Sequence, residues 1–324
     1  MITGIDDLAG ASSAVRARAH RLTVIFCFVA IYIVWGSTYL AIRYAVETIP
    51  PLFTAGTRHL VAGSVLLAWC LLKGLRPTAA QIRASVVIGF FFFLVGHGSL
   101  HWAETRVPSG LASLLIAIEP IFVFLLTAAA NRRWKMNLPL LTGALLGLGG
   151  VALLMGRSVL ASAPGMFTGA VVVLVGAFSW SVGIIYSRRS HLSGSPLLLS
   201  ALSLLAGSGM LLAAGSIAGE GRGFSLHQVT ARSWWALAYL IVFGSIVTFT
   251  AYNWLLEHYS PTLVATHTYI NPIVAVLLGW LFAGEAITLN LLLAAGLVIV
   301  AVILVDRGMT RLAAAGHQVR RGEG

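Results

Sequence analysis

Charge is what this chain has least of. Asp, Glu, Lys and Arg make up 10% of its 324 residues, against about 25% in an ordinary globular domain. Too little polar surface remains for water to wet, which excludes a soluble protein. Cysteine is nearly absent: Cys27 and Cys70 both lie inside apolar runs. That excludes a disulfide framework, and a thiol so placed behaves as a small hydrophobe. Nucleotide machinery is missing as well, with no GxxxxGK(S/T) phosphate loop. There is no GxSG nucleophile sequence either, and Pro108-Ser-Gly110 reads only as a turn at a helix start.

The chain has instead 58% hydrophobic residues, 34 glycines and a mean hydropathy of +0.91, so a bilayer is its expected solvent. A hydrocarbon core of about 30 Å takes about 20 residues per helix. Ten apolar runs fit that length, at about 22–45, 51–72, 84–103, 109–130, 138–156, 166–187, 196–218, 233–256, 262–283 and 288–306. Helices are required rather than strands because each run is long and continuous and lipid demands that backbone groups be satisfied within the segment. The loops between them are too short to hold a catalytic domain. The run from Leu22 continues past Trp35 to about Tyr44, so the basic stretch before it does not start a cleaved leader.

The net charge of +11 reads as an orientation signal and not as a nucleic-acid surface, because cytoplasmic loops collect Lys and Arg. With the amino terminus inside, fifteen basic residues fall on the cytoplasmic side, among them Lys73, Arg76, Arg83, Arg188, Arg189, Arg307 and Arg311. Only Arg106, Arg157, Arg222 and Arg232 fall outside, while Arg43 and Arg58 lie within spans. Both termini are therefore expected in the cytoplasm.

The first five spans resemble the second five. Trp35 and Pro51 are 16 residues apart, as are Trp180 and Pro196; Glu104 to Pro108 matches Glu257 to Pro261; and Glu119-Pro120 matches Asn271-Pro272. Halves with an odd number of spans enter the membrane from opposite sides, giving the inverted repeat from which many carriers are built. The expected fold is an all-α polytopic membrane protein of ten transmembrane helices in two inverted five-helix repeats. Its parts are a polar tail (1–21), a first repeat (22–157), a second (158–307) and a basic tail (308–324).

Several motifs resemble a known family. Trp35-Gly-Ser-Thr-Tyr-Leu-Ala-Ile-Arg43, Pro50-Pro51, Arg58 with Ala62-Gly63, Val107-Pro-Ser-Gly110, and Asn271-Pro-Ile-Val-Ala-Val-Leu-Leu-Gly279 through Gly284-Glu285 are similar to the EamA-like family of the drug/metabolite transporter superfamily and its YedA-type exporters. The resemblance covers about 22–307. It implies a ten-helix, multi-pass carrier of the bacterial inner membrane that exports amino acids, metabolites or drugs. It leaves the substrate open.

Site candidates come from polar and kinked positions within spans. Pro120 and Pro272 each remove a backbone hydrogen bond and crowd the carbonyl four residues back, so both fourth spans are expected to kink, either around a cavity or merely to tune packing. Glu119 lies near the bilayer midplane, where an acidic residue costs about 2.5–3.5 kcal/mol. It is the proton-coupling candidate and an ammonium-binding one; the alternatives are a fixed partner such as Arg58, or a permanently protonated acid. His97 and His101 share a stripe of the third span with Glu104 and read as cavity lining or interhelical hydrogen bonding; two histidines are too few for a metal cage. Trp35 and Trp180, equivalent in the two halves, with Trp102, Tyr252, His267 and Asn271, complete the candidate substrate-binding set; packing is the alternative for the aromatics. Glu104 and Glu285 read as caps, Arg58 as structural. No cofactor is expected. The partners expected are a small-molecule solute and the lipid bilayer, and the oligomeric state is left open. The reading is a secondary transporter exporting a small organic solute by alternating access, proton exchange being one coupling. An uncoupled facilitative permease is the nearer alternative, and an intramembrane enzyme the distant one.

Overall fold

The computed structural model describes residues 20–130, 137–156, 165–190, 194–259 and 261–322. The expectations for residues 1–19 and for the loop arginines 132, 133 and 157 lie outside these. Every regular element among the described residues is helical. Nine helices are long and apolar enough to cross a membrane: α1 (His20–Ala45), α2 (Pro51–Leu72), α3 (Ala79–Ala103), α4 (Ser109–Ala129), α6 (Met166–Arg189), α7 (Pro196–Ile217), α8 (Ala231–His258), α9 (Leu263–Ala283) and α10 (Leu289–Arg311). The shorter α5 (Leu138–Leu154) is equally apolar. The helix of α10 continues to Gly322, through the stretch that reads as a basic tail.

Helix starts follow local chemistry. At α3, Thr78 accepts from the Gln81 backbone N–H while the Gln81 side chain accepts from that of Thr78, a reciprocal cap that begins the helix before the apolar run. Proline opens α2 and α7, where its missing N–H costs nothing. Two carboxylates cap helices from a distance. Glu220 accepts from the Leu52 and Phe53 N–H groups at the start of α2 (3.0 and 3.2 Å), and Glu285 accepts from Ser109 and Gly110 at the start of α4 (2.7 and 3.0 Å).

The packing keeps its pattern when each helix is exchanged for the one five places on. α2 packs on α7, and α5 on α10. α3 packs on α6 and α7, as α8 does on α1 and α2, and α4 packs on α6 as α9 does on α1. Helix ends meet in two sets. In one, Glu47 pairs with Arg232, Leu52 meets Glu220 and Ser109 meets Glu285. In the other, His20 lies against His258, and Asn137 Nδ2 donates to the Gly308 carbonyl at 2.9 Å.

Small residues permit the closest approach. A Cβ on Gly143 would lie 2.8 Å from the Ala301 carbonyl oxygen and 3.0 Å from the Val305 nitrogen of α10, and one on Gly150 would lie 2.7 Å from Val298. Gly147 faces Ile121 of α4 as well as Ala301 of α10.

Three helices widen locally to π geometry, α1 at Ala30–Val34, α3 at Phe90–His97 and α8 at Val242–Val247. Each widened stretch receives a donor from another helix. The Asn271 side-chain nitrogen faces the Ile31 and Tyr32 carbonyls at 3.0 Å, and Ser179 Oγ donates to Phe91 at 2.8 Å. Arg58 Nη2 and Trp35 Nε1 both donate to Gly244, at 3.1 and 3.2 Å. Such bulges gather at functional sites.

Candidate functional site

The widened stretches deliver rings to the middle of the bundle. Trp35 directly follows the one in α1 and packs on Phe249, Tyr252 and His267, with centroids 5.7, 5.2 and 5.1 Å away. Trp180 of α6 stacks between Phe92 and His97 of α3 (4.2 and 5.1 Å). Each tryptophan thus lies on the third span of the other half. The clusters join through Phe93 and Phe249, 6.3 Å apart. Trp35, His97, Trp180, Tyr252 and His267 are all half-buried, so this ring assembly presents faces and edges that can hold apolar or cationic groups.

His97 Nδ1 is 2.8 Å from His59 Nε2, and His101 Nδ1 is 2.8 Å from the His97 carbonyl oxygen. His59 is fully buried on α2 and was not among the sequence candidates. Nothing in the spacing could have found it, because its partner lies on another helix. Among the described residues no group of three His, Cys, Asp or Glu side chains stands ready to hold a metal.

Glu119 opens the second part of α4, whose helix is interrupted at Ala117 and Ile118, just before Pro120. This is where the proline withholds its hydrogen bond from Ile116. In α9 the interruption falls at Thr266, and Pro272 sits inside the helix that follows. The Glu119 carboxylate is half-buried, and none of the described residues donates a hydrogen bond to it. It lies within electrostatic range of Tyr39, Tyr252 and Arg188. Arg58 is not its partner: that guanidinium, 2% exposed, donates to Ser245 Oγ at 2.8 Å and to Gly244.

Two sequence candidates sit apart from the rings. Trp102 packs under the Arg106 guanidinium, 3.8 Å from its centroid, and Asn271 is engaged with the α1 backbone. Two cavities of about 330 and 360 Å³ lie elsewhere, one lined by Arg83, Tyr186, Arg189 and Ser190, the other by Phe53, Thr57, Leu212 and Trp234. Neither is lined by the candidate substrate-binding residues named above. In the middle of the bundle the rings rest on one another.

A family model described as the EamA-like transporter family matches residues 22–156 and again 167–306. The chain is 37% identical over 284 residues to the "Uncharacterized inner membrane transporter YedA" of Escherichia coli, covering 86% of this chain and 89% of that one. It is 26% identical to the "Uncharacterized transporter YoaV" of Bacillus subtilis, over 85% of this chain and 94% of that one. A solved crystal structure shares the fold with a TM-score of 0.61 at 20% identity, over 87% of this chain and 96% of its own. The protein belongs to the EamA-like transporter family. It is a membrane transporter, multi-pass in the inner membrane.

Proposed function

We propose that this transporter exports a small organic solute from the cytoplasm by alternating access. All ten helices cross the membrane, with both termini in the cytoplasm. The halves, 22–157 and 158–307, are inverted and rock about the tryptophan, histidine and tyrosine rings between them. The solute carries a cationic or hydrogen-bonding group for Glu119 and an apolar or aromatic portion for Trp35, Trp180, Tyr252 and His267. One observation carries this reading: a carboxylate in the middle of a span, at a helix break and within electrostatic range of Tyr252, without a hydrogen bond from the described protein. A structural glutamate in lipid would have found a partner.

Counterflow in proteoliposomes with amino acids, nucleosides, sugars and cationic drugs tests it. Solutes that accumulate are expected to share one chemical feature. Glu119→Gln is expected to lower their flux at least tenfold, since a charge-assisted hydrogen bond of about 1.5–3 kcal/mol is lost. Unchanged flux would remove Glu119 from the mechanism, and solute flux without proton movement would make the protein a facilitative permease.

A further inference from the structure

We infer that Glu104 is a proton-carrying site of the transport cycle, loaded while the end of the bundle where α3 turns into α4 is closed. This rests on the proposed carrier function and adds to it a second titratable site, away from the solute.

Glu104 directly follows α3. It is 2% exposed, and neither carboxyl oxygen has a hydrogen-bond partner among the described residues. A carboxylate taken out of water and left unpaired is strongly disfavoured, and the group keeps its proton instead. Two guanidinium groups face it and favour its ionised form, but burial outweighs them and their hydrogen bonds go elsewhere. Arg43 of α1 turns its Nε to Glu285, 3.6 Å away, and its Nη1 to the Val107 carbonyl. Arg58 of α2 is held by Ser245 and Gly244. The Arg43 backbone N–H comes near the carboxyl but outside hydrogen-bonding geometry. Glu285, beyond α9, and the Tyr39 phenol of α1 also face Glu104, and a second carboxylate further opposes ionisation. On its own helix, His101 is fully buried with Nε2 unpartnered.

Glu285 makes the contrast clear. Its oxygens accept from Ser109 N, Ser109 Oγ and Gly110 N, so its place is explained by capping. Nothing comparable explains Glu104. Tyr39 lies in electrostatic range of both Glu104 and Glu119, one sealed and the other half-exposed. When the α3–α4 end opens, water reaches Glu104, and its O–H bond breaks to leave a carboxylate and a hydrated proton. Once that end has closed, a proton from the opposite side, arriving past the Tyr39 phenol from the half-exposed Glu119, re-forms the bond. Each cycle thus binds and releases one proton.

Two measurements on the full chain test this. In lipid nanodiscs at neutral pH, infrared spectra should show a protonated carboxyl band that Glu104→Gln removes, Glu119→Gln leaves in place and Glu104→Asp shifts. In proteoliposomes carrying a trapped pH dye, a gradient of the mixed screening solutes should drive proton flux in the wild type. Glu104→Gln should lower that flux at least tenfold while retaining solute counterflow. A carboxyl spectrum unaltered by Glu104→Gln, or undiminished proton flux in that variant, would overturn the assignment. Absence of wild-type counterflow would defeat the export reading alone, because the infrared band reports the proton on Glu104 without any solute.

Discussion

At the scale of the residue, the charged groups inside this protein divide by whether the protein itself supplies their partners. Arg58 donates twice, and what it holds is the widened stretch of α8 through Gly244 and Ser245. A lysine cannot reproduce two donations from one planar fork. Arg58→Lys is expected to lower stability by about 1.5–3 kcal/mol, and Arg58→Leu by at least as much, read as earlier thermal unfolding in detergent. Solute affinity should change little in any folded Arg58→Lys protein, because the side chain faces backbone. Equal stability of Arg58→Leu and wild type would mean that the buried fork contributes nothing net. Glu119 and Glu104 are the opposite case, carboxyl groups that the described fold leaves without donors.

At the scale of the element, the pairing of α5 with α10 depends on which glycines meet backbone. Gly143 approaches the Ala301 oxygen and Val305 nitrogen, atoms that cannot move aside, whereas Gly149 on the same helix has nothing within 4 Å of the place a methyl group would occupy. Gly143→Ala is therefore expected to destabilise by about 1–3 kcal/mol through overpacking, and Gly149→Ala to be neutral or to stabilise by about 0.4–1 kcal/mol through reduced chain entropy. Thermal unfolding of the two variants side by side checks this, and a similar loss in both would mean the pairing is not set by close approach. Glycines at 143, 147 and 150 put small residues on one helix face by spacing alone. That Gly147 meets α4 was not legible in the sequence, since a one-dimensional pattern names a face without naming what covers it. The break in α4 beside Pro120 was legible for the same local reason that makes proline a breaker. The break of α9 at Thr266 was not, because it falls six residues before Pro272, outside the turn that the proline itself disrupts.

At the scale of the whole molecule, the exchange pattern of helix packing and the double family match are the observations on which an inverted pair of halves is proposed. Inversion makes a definite statement about sidedness. Leu75, after α2, and Leu226, before α8, are both exposed, and they occupy the same relative place in the two halves. In a variant whose buried Cys27 and Cys70 are replaced by Ala, Leu75→Cys is expected to react with an impermeant maleimide only from the cytoplasmic side. Leu226→Cys should react only from outside. Labelling of both from one side would defeat the inversion, and with it the rocking of the halves.

What the sequence determined by itself was whatever solvent and covalent chemistry dictate. A charge content of 10% requires a bilayer, apolar runs of about 20 residues in a bilayer require helices, and a proline at a given position constrains its own turn. These effects are local or compositional, so a linear reading captures them. What only the tertiary structure decided was which side chain answers which. His59 meets His97 across helices, Asn271 supplies the donor that the widened α1 needs, Trp102 goes to Arg106, and Glu285 caps α4 while Glu104 is left bare. Hydrogen bonds and ring contacts act over a few ångströms, and residues that distance apart in space lie up to 240 positions apart along this chain, a pairing that composition and spacing do not encode.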